Sequence, residues 1–340
     1  MALRLLEIVL PEEDEKEAQD LLKSFDIIHF WHEKGHEKGM FLKLLLPAEK
    51  TEPVLDALEK RFSSKEAFRI TILPVEASIP RPEPAPEPSS KEEEVQAEPD
   101  QKTVEGRISR EELYADIQDV AGFSKIYMVM VVLSALVAAI GILRDNMAII
   151  IGAMVIAPLL GPNVGLSLAT ALADATLARK ALKTNISGIL VVLAVSLILG
   201  LVITLDPTTP EFVSRTEVGL GDIILALASG TAGTLAFTSG LPSTTLVGVM
   251  VAVALLPPLV TFGLLVGAGQ ETMAMGALLL FLTNLICVNL SGVATFLVQG
   301  IRPLTWWEAA RAKKATRRAL VLWILLLSAL VFTIVLSQKT

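Results

Sequence analysis

Four asparagines, Asn163, Asn185, Asn284 and Asn289, stand within or beside apolar runs. Burying an amide without hydrogen-bond partners costs roughly 2–7 kcal/mol, so each of these groups must find partners. They serve either as glue between helices or as the lining of a polar path. Asn163 directly follows the segment IGAMVIAPLLGP at 151–162, and a second such segment, VGVMVAVALLPP, occupies 247–258. Proline removes a helical hydrogen bond and collides with the preceding turn. The two segments therefore predict helices broken at Pro158, Gly161 and Pro162 and at Pro257 and Pro258. Carbonyls freed at such a break can hold a cation, and freed N–H groups an anion. The chemistry this predicts is a pathway for a small solute or ion, lined by the broken segments with Asn163, Asn284, Asn289, Thr231 and Thr234.

The two segments match at a constant offset of 96 residues: Gly152 with Gly248, Met154 with Met250, Leu159 and Leu160 with Leu255 and Leu256, Pro162 with Pro258. Asn185-Ile186-Ser187-Gly188 is echoed by Asn289-Leu290-Ser291-Gly292 once an eight-residue length difference is allowed. This is the pattern of an internal duplication. Paired Gly/Pro-interrupted apolar segments in two halves point to a transporter-like site. Gly152 and Gly248 are expected to let neighbouring helices approach closely.

Ionisable groups lie only at the margins of the apolar runs. Arg144, Asp145 and Asn146 separate the first run from the second, either capping a helix end or acting as a gate or coupling group. Asp222 has the same two readings, helix cap or ion ligand. No histidine occurs beyond residue 36, and Cys287 is the one cysteine. Proteolysis, metal-dependent hydrolysis and a histidine proton relay within the membrane thus lack their usual groups, and the expected chain is not an enzyme and carries no cofactor. The third function class is a membrane-anchored sensor or scaffold whose working part is the N-terminal region.

The elements that must hold these residues follow from hydropathy. Apolar runs span 126–143, 147–173, 186–205, 223–239, 245–268, 273–298 and 319–337, against about 20 residues needed to cross a bilayer. Residues 1–123 carry net charge -12 and the rest +5, leaving no basic surface for nucleic acid. Arg179, Lys180 and Lys183 follow the second run and Arg302 to Arg318 the sixth, while Asp206, Glu211, Glu217 and Asp222 cluster between the third and fourth. The positive-inside rule puts the basic loops in the cytoplasm. Seven spans then make the duplicated three-span units run in opposite senses.

Before the membrane region, residues 1–75 alternate as β-α-β-β-α-β, predicting a ferredoxin-like module. His29, His32 and His36 with Glu33 or Glu37 could hold a divalent metal, but alternation on a strand turns His29 and His32 to opposite faces, and a solvated polar turn is the favoured reading. Residues 76–107 form a Pro/Glu-rich linker. Ser109 and Glu112 form a capping-box pattern opening a helix over 108–123, whose Leu113, Ile117, Val120 and Ala121 predict a helix lying on the membrane surface. The duplicated core covers 124–300, and 301–340 adds a basic loop and a further spanning helix.

Leu143-Arg144-Asp145-Asn146 followed by IGAMVIAPLLGP, with the later VGVMVAVALLPP and the Asn-containing sixth run, resembles the hydrophobic region of the bacterial and archaeal family of domain of unknown function 389. The resemblance covers roughly residues 120–300 and implies a multi-pass membrane protein; it implies no established reaction. The expected whole is an α-helical polytopic protein of the cell membrane with inverted, broken-helix repeats and a cytoplasmic α+β module. The lipid bilayer and an unidentified small solute or ion are its expected partners, and self-association into homo-oligomers is compatible with this architecture.

The charge pattern fixes a topology that labelling tests. In intact cells an external thiol reagent is expected to modify a cysteine at Thr208 and spare one at Lys313; labelling of both, or the reverse, would overturn the inverted count.

Overall fold

The computed structural model describes residues 3–34, 39–65, 67–75, 78, 108–239, 255–301, 317, 320–321 and 323–334. His36, the expected linker at 76–107 apart from Ser78, Gly248 with most of the second broken segment, and residues 302–316 of the basic loop lie outside these residues. Internal contacts divide the chain into two units, Met1–Leu113 and Tyr114–Thr340.

In the first unit, strands β1 (Leu3–Pro11), β2 (His29–Lys34), β3 (Gly39–Pro47) and β4 (Arg69–Val75) form one antiparallel sheet in the order β2-β3-β1-β4. Helices α1 (Glu15–Leu22) and α2 (Thr51–Phe62) follow β1 and β3. Period-two alternation sets the register. Leu6, Ile8 and Leu10 face Leu44, Leu42 and Met40 across the β1–β3 pair. All six are buried with Leu22, Val54, Leu58 and Phe62 from the helices. The other sheet face leaves Trp31 and Phe41 exposed.

Helix α3 (Arg110–Val120) starts in this unit and continues in the second. Its capping box is half made. Ser109 Oγ accepts from the Glu112 N–H, but the Glu112 carboxylate accepts from Arg4 Nε at 2.9 Å instead of reaching back.

The second unit is helical. It contains α4 (Lys125–Leu143), α5 (Met147–Ile156), α6 (Leu160–Leu172), α7 (Ala175–Val202), the short α8 (Pro210–Val213), α9 (Leu220–Thr238), α10 (Leu256–Gly267) and α11 (Glu271–Val298). The apolar α12 (Trp323–Ile334) packs Leu330 and Ile334 against Ile223, Ala226 and Ile286 of α9 and α11. Among the described residues, helices α4, α7, α9 and α11 are each long and apolar enough to cross a bilayer, and α5 with α6, bent by 52°, passes the same test together as a broken span or a re-entrant pair. Ile126 is 76% exposed and Val202 78%, a distribution suited to lipid contact rather than water.

Local chemistry explains the boundaries. Ser124 opens α4 by accepting from the Tyr127 N–H, and Asn146 opens α5 by accepting from Ile149. Between them Asp145 takes a left-handed φ of 49°, a region that Asp enters more readily than most residues. The α5–α6 break falls where expected. Ala157 is extended (φ -71°, ψ 117°) before Pro158, as a residue before proline prefers. Pro162 sits in the first turn of α6, where its missing N–H costs nothing. Asp174 caps α7 by accepting from Thr176 and Leu177. Arg179, Lys180 and Lys183, expected in a loop, therefore lie in the first turns of a 28-residue helix.

Element lengths recur along the chain. Helices α4 and α9 have 19 residues each, α6 and α10 have 13 and 12, and α7 and α11 have 28 each. Leu160 and Leu256 start α6 and α10, and Ala175 and Glu271 start α7 and α11, both pairs 96 positions apart. The helix boundaries do not follow the slipped Asn185/Asn289 echo: at this offset Asn289 lies opposite Leu193.

Close approach occurs at glycines other than Gly152, which is exposed with no atom within 4 Å of a Cβ built on it. A Cβ on Gly263 of α10 would collide with Ser196 of α7, and one on Gly267 would come 2.9 Å from Gly200 Cα. Gly152→Leu is therefore expected to fold normally, and Gly263→Leu to lose the monodisperse peak in fluorescence-detected size-exclusion chromatography. Equal behaviour of the two would contradict this packing.

Candidate functional site

The break between α5 and α6 places Asn163 one turn into α6, buried to 1% exposure. Its Nδ2 donates to the Leu159 carbonyl at 2.8 Å and to Asn185 Oδ1 of α7 at 3.2 Å. Its Oδ1 accepts from Asn185 Nδ2 at 3.3 Å and from Asn289 Nδ2 of α11 at 3.0 Å. Asn289 Nδ2 also donates to the Leu285 carbonyl. Ser167, one turn beyond Asn163, donates to the Asn163 and Asn289 carbonyls at 3.1 and 3.2 Å. Three amides and a hydroxyl thus knot α6, α7 and α11 together, with Asn163 at the hub.

Glycine lets the knot extend toward α9. A Cβ on Gly292 of α11 would lie 2.7 Å from Ser167 Oγ and 3.1 Å from Thr234 Oγ1. Thr234 is buried and bonds back to the Gly230 carbonyl. Thr231 bonds back to Leu227. Serine and threonine satisfied in this way face a neighbouring helix without an unpaired hydroxyl.

The remaining expected residues take other places. Pro158 is half-buried at the break and Pro162 is buried in α6. Gly161 faces α3, where its Cβ would lie 2.7 Å from the Val120 carbonyl oxygen. Pro257 and Pro258 are buried in the first turn of α10. Asn284 is buried on α11, about 140° around the helix from Asn289 at 100° per residue.

The Arg144-Asp145-Asn146 triplet is exposed at the α4–α5 turn. Asn146 caps α5, and Asp145 Oδ1 accepts from the Glu211 N–H at 3.0 Å. Asp222 is the third residue of α9, and its carboxylate accepts from the Gly219 N–H at 2.8 Å. Asn146 and Asp222 thus bond at the N-terminal ends of α5 and α9. The nearby Arg215–Glu211 ion pair is buried beside them; neither residue stands out in sequence, because the pair sits within an acidic loop.

Ile117 and Ala121 of α3, expected to face lipid, are fully buried. Their stripe lies against α6 at Gly165. Tyr114 Oη donates to Asp174 Oδ2 at 2.6 Å. That bond, then burial and the Asp174 charge, push the phenol up to about 12. Burial opposes ionisation of Asp174, but bonds from Tyr114, Leu177 and Thr176 outweigh it and hold its carboxyl below the usual range.

In the first unit, His29 and His32 are exposed on β2, with the His29 ring 4.3 Å from that of Trp31. Among the described residues no three His, Cys, Asp or Glu side chains group as metal ligands. A groove of about 440 Å³ runs over Leu55, Phe68, Ile70 and Ile72, with Glu59 and Glu111 also lining it. Burial, then the neighbouring Glu111 charge, raises the Glu59 carboxyl.

Several bilayer-length helices, one of them broken, around a buried amide knot define a helical protein of multi-pass membrane type. The chain belongs to the family described as Domain of unknown function (DUF389), whose model matches residues 154–290. That range runs from Met154 in the first broken segment to Leu290, so it contains all three knotted asparagines. An uncharacterised protein of Methanocaldococcus jannaschii is 36% identical over 335 residues, covering 98% of this chain and 99% of that one. No solved structure matches the chain.

Loss of the hub is expected to leave Asn185 and Asn289 short of partners together. A double-mutant cycle of Asn163→Ala and Asn289→Ala, read by unfolding in detergent, should give a coupling of about 1 kcal/mol. Additive effects would show that the two amides are not joined.

Proposed function

We propose that the chain is a transporter or channel for a small solute or ion, built from two inverted halves that meet at the amide knot. One observation carries this reading. Ser167 of α6 lies against Gly292 of α11, and Ser196 of α7 lies against Gly263 of α10. Moving 167 forward by 96 gives 263, and moving 292 back by 96 gives 196. The same pair of equivalent positions is thus in contact twice, as a twofold relation requires, with both serines in the first half and both glycines in the second.

Helix directions support it. Asn163 meets Asn289 and Ser167 meets Gly292, so α6 and α11 run the same way. Ser196 with Gly263 and Gly200 with Gly267 set α7 and α10 parallel in the same manner. Because α6 and α7 form a hairpin through the short turn at Ala173 and Asp174, α10 opposes its counterpart α6 and α11 opposes α7. Inverted repeats joined at broken helices are the common plan of secondary transporters.

With no ionisable side chain between Asp222 and Glu271 or between Lys183 and Asp206, backbone dipoles and amides would supply the recognition. The strand order β2-β3-β1-β4 supports a ferredoxin-like reading of the first unit, and the charge pattern supports its placement in the cytoplasm of a cell-membrane protein. One feature favours the anchor or scaffold reading instead: the three amides satisfy one another, as static helix glue would.

Proteoliposomes separate the two. Loaded with a panel of small ions and neutral solutes, they are expected to lose at least one gradient through the wild-type protein. The Asn163→Ala, Asn289→Ala double variant, matched for folded yield, should slow that loss about tenfold, equivalent to about 1.4 kcal/mol. Retention of every gradient by wild type favours the anchor, and undiminished flux in the double variant removes the knot from the pathway.

A further inference from the structure

We infer that the end of α3, Ile117 to Gly122, is a strap that closes the amide knot by holding α6 against α7 and α11. Such a gate has a purpose only if the chain transports, so it rests on that reading. Helix α6 is gripped from two sides. Asn163 and Ser167 point to the knot. Gly161 and Gly165, each two positions earlier and so about 200° around the helix, face α3. A Cβ on Gly161 would lie 2.7 Å from the Val120 carbonyl oxygen, and one on Gly165 would lie 2.7 Å from Ala121 Cβ. No side chain fits between the helices there. The seat also brings the carbonyl end of α3 to the N–H end of α6, a favourable dipole arrangement.

Two polar ties fasten the strap to α7. Tyr114 Oη donates to Asp174 Oδ2 at 2.6 Å, and Lys180 Nζ donates to the Gln118 carbonyl at 2.9 Å. The first tie is partly exposed and the second exposed, so water can replace both at small cost. Ile117 and Ala121 beneath them are fully buried. The strap is therefore apolar where it seats and exchangeable where it is tied, as a releasable element must be.

Among the described residues the second half shows no equivalent seat. The positions 96 residues after Gly161 and Gly165 are Pro257 and Thr261, and the Thr261 hydroxyl is buried with no hydrogen-bond partner among the described residues. The two glycines that seat α3 thus have no glycine counterparts at the equivalent positions of the second half. Parting α6 from Asn185 and Asn289 requires α6 to move toward α3, and the strap occupies that space.

The test uses the full chain in proteoliposomes with Cys287→Ser and a single probe, Ser167→Cys, reacted with a charged methanethiosulfonate. Tyr114→Phe with Lys180→Ala removes both ties and is expected to speed modification about tenfold. A control probe at Ser291→Cys, buried on α11, should keep its rate. Tyr114→Phe alone should give a smaller rise in the same direction, and it serves if the double variant is poorly folded. An unchanged Ser167→Cys rate in folded protein overturns the strap, as does an equal rise at both probes, which would mean general loosening. Labelling needs no substrate, so absence of flux in wild type would sink the transport reading separately.

Discussion

An interrupted helix surrounded by apolar groups must have its polar backbone covered by protein, because neither lipid nor a packed core offers water in exchange. The Ala157–Leu159 break imposes this requirement on the second unit. Asn163 lies just past the break and donates to the Leu159 carbonyl. The same amide also binds Asn185 and Asn289, so the residue that follows the break also fixes α7 and α11 around it. Local chain chemistry and the packing of three helices are here a single constraint, and the glycines at 230, 263 and 292 are what allow the backbones near enough to honour it.

The sequence pointed to the parts of this arrangement that carry a penalty when misplaced. Asn163 and Asn289 were legible because an amide in an apolar run has to be bonded, and Pro158 because a proline there has to end α5. Ser167 gave no such signal. A serine in mid-helix usually bonds back to its own carbonyls, and only the fold shows that it also reaches Asn289. Gly152 misled for a related reason: in a helix apolar all round, a small residue does not say which face is packed, and this one is open.

Charge and amphipathicity were ambiguous in the same way. Arg179, Lys180 and Lys183 read as a loop because they are basic and short of apolar neighbours, yet Asp174 starts the helix before them. The stripe on α3 announced an apolar contact without distinguishing lipid from protein, and glycines forty residues later decide it. The element order of the β-sheet unit, by contrast, was legible, and its register answers to the same alternation, since a one-residue slip would turn Leu6, Ile8 and Leu10 into solvent.

Helices α7 and α11, at 28 residues each, are about 42 Å long at 1.5 Å per residue, whereas a hydrocarbon core is only about 30 Å thick. Upright, each would project roughly 12 Å into the headgroup layers. On α7 the overhang coincides with Arg179, Lys180 and Lys183, whose long stems can stay in the apolar layer while their charges reach phosphate. In a thicker bilayer the same helices would stand straighter, and in a thinner one they would tilt. Because Asn185 and Asn289 are carried on these two rods, the angle at which their amides meet Asn163 becomes a property of the surrounding lipid as well as of the chain.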